Sequence, residues 1–176
     1  ANDIKFGNNK EFSGYDIEFR NVSFKYDTAN ILENLSFRLE ENKTYALVGS
    51  SGGGKSTIAK LISGFYNINE GEILIGGKNI STYSREALMN NISFVFQNSK
   101  LFKTTIFENV KIGNENASYE EVMNALKLAR CGDILDKFET RENTVIGSKG
   151  VHLSGGEIQR IAIARAILKD AKIIIL

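Results

Sequence analysis

The stretch Gly49-Ser50-Ser51-Gly52-Gly53-Gly54-Lys55-Ser56 decides the fold of this 176-residue chain. It fits the pattern G-x-x-x-x-G-K-[ST], in which the glycines let the backbone curl tightly and turn its N–H groups toward phosphate oxygens. The Lys55 ammonium can reach the β- and γ-phosphates of a nucleotide, and the Ser56 hydroxyl can ligate Mg²⁺. We expect Thr57, the next residue, to belong to the same nucleotide-binding segment.

The flanking sequence supports a phosphate-binding loop over a merely flexible glycine-rich turn. The apolar run Thr44–Val48 predicts a strand buried on both faces. A helix is predicted from about Lys55 to Ser63, with Gly64 placed to end it. Its positive N-terminal end would face the same anion as the loop. Such a loop alone leaves kinases, GTPases, helicases and transport ATPases open.

Composition excludes several other classes of protein. The chain has 22 Lys+Arg against 21 Asp+Glu, a formal net charge of +1, and 42% hydrophobic residues, which is typical of one globular domain. No apolar stretch approaches the roughly 18–20 residues of a membrane span. A single cysteine, Cys131, and a single histidine, His152, cannot form a Cys/His zinc site. Because no Lys/Arg cluster is present, we expect no nucleic-acid partner.

Strands and helices alternate in a pattern that predicts an α/β domain carrying a helical subdomain. The apolar alternation over Ile17–Tyr26 slips in phase near Asn21, which indicates two strands or one bulged strand. Residues 1–14 are polar and aperiodic, so we interpret them as a tether rather than core. Further strands are predicted at Leu35–Leu39, Glu72–Ile75, Ile92–Phe96 and Ile173–Leu176, the last as a buried strand.

Two S-x-x-E patterns predict the starts of helices. Ser118 with Glu121 forms one capping box, and Ser154 with Glu157 forms the other. The second lies within Leu153-Ser154-Gly155-Gly156-Glu157, and a capping box does not explain its two glycines. Each costs roughly 1 kcal/mol in helix propensity. Small residues at an exposed helix N-terminus would let the backbone approach a phosphate closely.

In this order, the two motifs resemble those of the nucleotide-binding domain of ATP-binding-cassette (ABC) transporters. Leu153–Glu157 resembles the family's signature motif, Ile158–Ala166 resembles its continuation, and the resemblance covers about residues 17–176. It implies a P-loop NTPase core with an antiparallel β subdomain and a helical subdomain at about 98–153, in a domain of residues 15–176 after a leader of 1–14. In the family's head-to-tail dimer, Ser154, Gly155 and Gly156 would contact the γ-phosphate of ATP held by the partner.

The resemblance implies further site residues and two cofactors, ATP and Mg²⁺. Tyr26 matches the aromatic residue that stacks on adenine, although a core tyrosine at a strand end is the alternative. Gln97 matches the glutamine that reaches Mg²⁺ and the attacking water, so Lys55 and Gln97 are the catalytic candidates. The stretch Leu101–Asn109 is similar to exporter-type members. Gly147–Gly150 lacks the acid that exporters often carry there, and Glu157 replaces the more common glutamine.

The family's hydrolytic carboxylates follow a strand that matches Ile173–Leu176, so the resemblance implies a chain truncated within that strand. We therefore expect this polypeptide to bind ATP–Mg²⁺ poorly and to hydrolyse it barely, while its parent is an ATPase. The expected partners are a second nucleotide-binding domain and transmembrane domains, at the cytoplasmic face of the cell membrane. The domain could be fused to its membrane domain or be a separate subunit. A stand-alone soluble ABC-type ATPase and a non-catalytic nucleotide-binding module remain open.

Overall fold

The structure, a computed structural model, describes residues 4–64, 66–96, 98–149 and 151–176. It divides into one unit of residues 1–90 and a second of residues 91–176. The helices and strands, in chain order, are β1 (Ile17–Tyr26), β2 (Ala29–Leu39), α1 (Lys55–Ile62), β3 (Glu70–Ile75), β4 (Lys78–Asn79), α2 (Arg85–Asn91), β5 (Ile92–Phe94), α3 (Ile106–Lys111), α4 (Tyr119–Leu128), α5 (Gly132–Leu135), α6 (Gly155–Leu168) and β6 (Ile173–Ile175).

The first unit is built on an antiparallel sheet with the strand order β2-β1-β3-β4. Of the two alternatives for residues 17–26, a single bulged strand is observed, because the register against β2 shifts between Phe19 and Val22. Asn21 takes up that shift with a φ of 48°, a conformation that asparagine tolerates better than most residues. Phe19 and Val22 are fully buried, as is Ile73 on the neighbouring strand β3.

The predicted strand at Thr44–Val48 is wrong for the structure described. Residues 44–48 are irregular and exposed, and Val48 is 92% accessible to solvent. The apolar composition of such a run indicates only that it could be buried. A strand also needs a neighbouring strand for its N–H and C=O groups, and none among the described residues pairs with this run.

None of the described residues before residue 15 is buried, which agrees with their predicted place outside the core, but several are held by contacts to residues 82–83. The Gly7 N–H donates to the Tyr83 carbonyl at 3.0 Å, and the Asn9 N–H donates to the Thr82 carbonyl at 3.0 Å. The Phe12 ring stacks on Tyr83 with their centroids 4.1 Å apart. These contacts attach the leader to the residues just before α2. The domain boundary at 14/15 stays a prediction.

In the second unit, β5 and β6 pair in parallel, with Ile92 opposite Ile173. The predicted C-terminal strand is thereby confirmed, but its predicted burial is not. Ile174 is 36% exposed, and Leu176, just after the strand, is 74% exposed. Within the described chain β6 has a strand on one edge only, which leaves part of its surface in contact with solvent.

The remainder of the second unit is a helical core around α3, α4 and α6. Cys131 is fully buried in this core, together with Ile106, Val110, Val122, Leu126, Ile134 and Ile161. The backbones of α3 and α6 meet beside Gly113, where an added Cβ would lie 2.3 Å from the Arg165 carbonyl oxygen. Over the described residues, no helix combines the length and apolar character needed to cross a bilayer.

Candidate nucleotide-binding site

The loop at residues 49–56 curls through two left-handed glycines. Gly52 has a φ of 80° and Gly54 a φ of 90°, which side chains with a Cβ adopt only with strain. The Gly53 N–H donates to the Ser50 carbonyl at 3.0 Å and closes the turn. The Lys55 ammonium donates to the carbonyls of Gly49 at 2.6 Å and Ser50 at 2.7 Å. The lysine head therefore lies over the loop itself.

Helix α1 begins directly after this loop, as predicted, and its first turn carries no acidic residue. Its N-cap is Gly54, which has no side chain to accept a hydrogen bond from the first N–H groups. Those donors and the helix dipole favour an anion at this end. The Ser56 side chain is exposed, whereas Thr57 is buried. The free N–H groups at the start of α1, the Lys55 ammonium and the exposed Ser56 hydroxyl together fit a phosphate group with a bound Mg²⁺.

The second motif forms the start of α6 with both halves of the predicted capping box. The Glu157 N–H donates to the Ser154 hydroxyl oxygen at 3.1 Å, and the Ser154 N–H donates to Glu157 Oε1 at 2.9 Å. Lys137 donates to the same carboxylate at 2.7 and 3.0 Å. The hydrogen bond from Lys137, followed by that from the Ser154 N–H, lowers the pKa of Glu157. This glutamate therefore remains ionised and holds the helix start in place.

The paired glycines of this motif have no packing role in the described structure. A Cβ added at Gly155 or Gly156 would meet nothing within 4 Å. The capping bond uses the Ser154 oxygen as an acceptor, so its hydroxyl proton can still be donated outward. The start of α6 thus presents accessible backbone N–H groups and one hydroxyl donor.

Tyr26 lies at the exposed end of β1 within a group of aromatic rings. Its ring makes edge-on contacts with Phe24 at 4.8 Å and with Tyr66 at 5.7 Å. Tyr26 is 38% exposed, so it is not a fully buried core side chain. Tyr66 was not among the predicted site residues, since nothing in its local pattern distinguishes it. Gln97 lies outside the described residues.

A buried polar cluster in the second unit was also missed. The Asn109 side chain is fully buried. Its amide group donates to the carbonyls of Phe102 at 3.0 Å and Thr105 at 2.9 Å. Its oxygen accepts from the Phe102 N–H at 2.8 Å and from Arg165 Nη2 at 3.1 Å. An asparagine facing inward from α3 was the available signal, because buried amides are nearly always fully hydrogen-bonded.

Arg165 completes this cluster from α6. Its Nε donates to the Asn109 carbonyl at 2.8 Å, and its guanidinium carbon lies 5.7 Å from the centre of the Phe102 ring. Burial lowers the pKa of Arg165, and no carboxylate pairs with it among the described residues. The cluster fixes the segment Phe102–Thr105 against α6.

A glycine-rich loop that opens a helix, and a second capped helix with an open glycine pair, define an α/β domain of the P-loop type. Comparison with known proteins makes this class more specific. The sequence pattern of the family described as "ABC transporter" matches residues 32–176. The chain belongs to the ABC transporter family, and its fold is that of the family's ATPase domain.

Relatives and a solved structure agree with this assignment. ABC transporter B family member 13 of Arabidopsis thaliana is 48% identical over 164 residues, which are 92% of this chain and 13% of that protein. The ATP-dependent lipid A-core flippase of Escherichia coli strain K12 is 46% identical over 164 residues, 92% of this chain and 28% of that protein.

The solved structure of a bacterial Atm1-family ABC exporter with ATP bound has a TM-score of 0.83 and 38% identity. The match between the two covers 99% of this chain and 30% of the exporter chain. All three similar proteins are therefore considerably longer than the 176 residues described here.

Proposed function

We propose that this chain is the ATP-binding and ATP-hydrolysing domain of an exporter-like ABC transporter, where it couples ATP-driven dimerisation to transport across a membrane. The observation that carries the proposal is the loop at 49–56, with two left-handed glycines, Lys55 and an uncapped helix start. The domain would act at the cytoplasmic face of the membrane. Its partners would be transmembrane domains and a second nucleotide-binding domain.

The loop residues would hold the triphosphate of ATP. The N–H groups of Gly52–Thr57 would donate to phosphate oxygens, and the Lys55 ammonium would exchange its two carbonyl acceptors for phosphate. The exposed Ser56 hydroxyl would be a Mg²⁺ ligand, and bound Mg²⁺ would neutralise charge on the phosphates. Tyr26 would provide an aromatic face for adenine. Gln97, by its match to the family, would reach Mg²⁺ and the attacking water.

The signature segment Leu153–Glu157 would serve the nucleotide held by a second domain. Gly155 and Gly156 leave open space at the start of α6, where phosphate oxygens of that nucleotide could approach the backbone N–H groups. The Ser154 hydroxyl would donate to the same oxygens. Glu157, held ionised by Lys137, would keep Ser154 in its capping geometry without itself touching phosphate.

Of the residues that the family uses in hydrolysis, Lys55, Ser56 and Gln97 have matches within the 176 residues. We propose that these three residues serve ATP turnover in the transporter. Steady-state phosphate release by the transporter that is unchanged by Lys55→Ala would contradict this proposal.

Equilibrium binding of a fluorescent ATP analogue tests the nucleotide site. Lys55→Ala should weaken binding by about tenfold or more, because a charge-assisted contact to phosphate is lost. Lys60→Ala is the matched control, since Lys60 is an exposed lysine in the same helix, and it should leave binding unchanged. Equal affinity in both variants would refute the assignment of the loop.

Analytical ultracentrifugation with and without ATP–Mg²⁺ tests the signature segment. Gly156→Asp places a carboxylate in open space, so the chain should fold and bind ATP normally. Because like charges repel, ATP-dependent dimerisation should be lost. A variant that still dimerises on ATP would rule out a signature contact to the partner's nucleotide.

A further inference from the structure

A groove lined by the C-terminal half of α4 and by α5 has no role in the proposed nucleotide chemistry. It has a volume of about 660 Å³, within the roughly 300–1,000 Å³ of small-molecule sites. Among its described lining residues, four cations, Lys127, Arg130, Arg141 and Arg160, face one carboxylate, that of Asp133. We call it the α4–α5 groove.

Ion pairs within the second unit neutralise two of these cations. Arg160 donates to Asp133 through Nη1 at 2.7 Å and Nη2 at 3.1 Å. Arg141 pairs with Asp136. Lys127 and Arg130 form no ion pair with any residue that the structure describes. Two positive charges at the groove therefore have no counter-charge on the described part of the chain.

Two residues that line this groove have a backbone conformation that, within the described residues, other arginines do not adopt. Seven non-glycine residues of the described chain have positive φ, and five of them are Asn or Asp, which tolerate this region. The other two are Arg130, with a φ of 59°, and Arg141, with a φ of 44°. Both line the α4–α5 groove. Unusual backbone conformations of this kind cluster at functional sites.

Arg130 occupies a position at which glycine is usual. The Cys131 N–H donates to the Leu126 carbonyl at 2.9 Å, and the Arg130 N–H donates to the Lys127 carbonyl at 3.0 Å. This pair of bonds ends α4 in a motif whose left-handed residue is most often Gly or Asn. Packing does not account for the arginine side chain, which is exposed and lines the α4–α5 groove.

We propose that the α4–α5 groove binds a small organic phosphate ester. Its dianion matches the two uncompensated charges of Lys127 and Arg130, and a guanidinium donates to phosphate oxygens through two parallel N–H groups. The organic part lies against the half-buried Met123, whose flexible thioether adapts to varied apolar groups. This site is independent of the nucleotide site and does not rest on the proposed function.

Two-dimensional ¹H–¹⁵N NMR of the 176-residue chain, titrated with phenyl phosphate, tests the proposal. Saturable shifts are expected at the amides of residues 123–135, and inorganic phosphate and phenol should each bind more weakly than phenyl phosphate. The amides of residues 49–57 report on the nucleotide loop in the same spectra. Shifts confined to the loop, or phenol or inorganic phosphate binding as tightly as phenyl phosphate, would overturn the proposal.

Arg130→Asn separates ligand binding from folding, because asparagine accepts the same backbone conformation. It should weaken phenyl phosphate binding by about tenfold or more and leave Tm unchanged or higher. Arg85→Asn removes an exposed arginine from the first unit and should change neither quantity. Unchanged affinity in Arg130→Asn, with or without a fall in Tm, would refute the site.

Discussion

Replacing Asn109 by alanine should be among the most destabilising substitutions in the second unit. The side chain is fully buried and makes four hydrogen bonds, two as donor and two as acceptor. At roughly 1 kcal/mol for each of the three neutral bonds and about 1.5–3 kcal/mol for the bond from Arg165, the expected loss in the free energy of unfolding is about 5 kcal/mol. For a chain of this length, Tm should fall by about 10–20 °C.

Urea titration followed by far-ultraviolet circular dichroism measures this loss, since the chain has no Trp to report by fluorescence. Asn114→Ala is the matched control, because Asn114 is exposed and its side chain accepts one local bond, from the Asn116 N–H. The control should lose no more than about 1 kcal/mol. A loss that small for Asn109→Ala as well would refute the reasoning.

A double-mutant cycle with Arg165→Met isolates the bond between the two side chains. The coupling energy between Asn109 and Arg165 should be about 1.5–3 kcal/mol, the range for hydrogen bonds to charged groups. Additive effects would mean that the buried guanidinium is held by the Asn109 carbonyl and the Phe102 ring alone.

Three further outcomes follow from the structure. Lys137 and the Ser154 N–H lower the pKa of Glu157 in the folded chain. Its carboxylate therefore stabilises the fold above its unfolded pKa of about 4.3, and this contribution to stability is lost as pH falls through the lower folded pKa. The difference in stability between wild type and Glu157→Gln, measured by urea titration, should therefore close as the solution is acidified. Gly54→Ala should cost about 1–2 kcal/mol and lower Tm, because its φ is 90° and the new Cβ would lie 2.8 Å from Leu32 Cδ2. Burial raises the pKa of the Cys131 thiol to about 11, so iodoacetamide at pH 8 should label it only when the chain unfolds.

Features fixed by neighbouring residues were predictable from the sequence. Both capping boxes form as expected, because each depends on a serine and a glutamate three residues apart. The bulge at Asn21 appears as a slip in the apolar alternation. Helix α1 ends at Ile62, before Gly64. The capping boxes, the bulge and the helix end each depend on residues within one turn of helix or a few residues of strand.

Features that depend on distant partners were not predictable in the same way. The run at Thr44–Val48 has a strand's composition but no pairing partner among the described residues. Strand β2 begins at Ala29, six residues before the predicted Leu35, because its first half is ordered by pairing with β1. Asn109 and Arg165 are 56 positions apart, so no local pattern connects them.

The candidate nucleotide site likewise combines features set by neighbouring residues with features set by distant ones. The identities of Lys55 and Ser154 follow from two short motifs, and their local geometry follows from the glycines and caps around them. The Lys137 contact to Glu157 spans 20 positions, and the Tyr66 contact to Tyr26 joins residues outside any shared motif. Such contacts are decided by tertiary packing, which sequence periodicity does not encode.

The close approach at Gly113 has a consequence for motion within the second unit. With the position of an added Cβ only 2.3 Å from the Arg165 carbonyl oxygen, the backbones of α3 and α6 have no room to slide past each other. The Arg165 bond to the Asn109 carbonyl prevents them from rotating apart. We therefore expect the two helices to move together and the loops that flank them to take up any rearrangement of this unit. A side chain at position 113 would weaken this coupling by forcing the helices to separate.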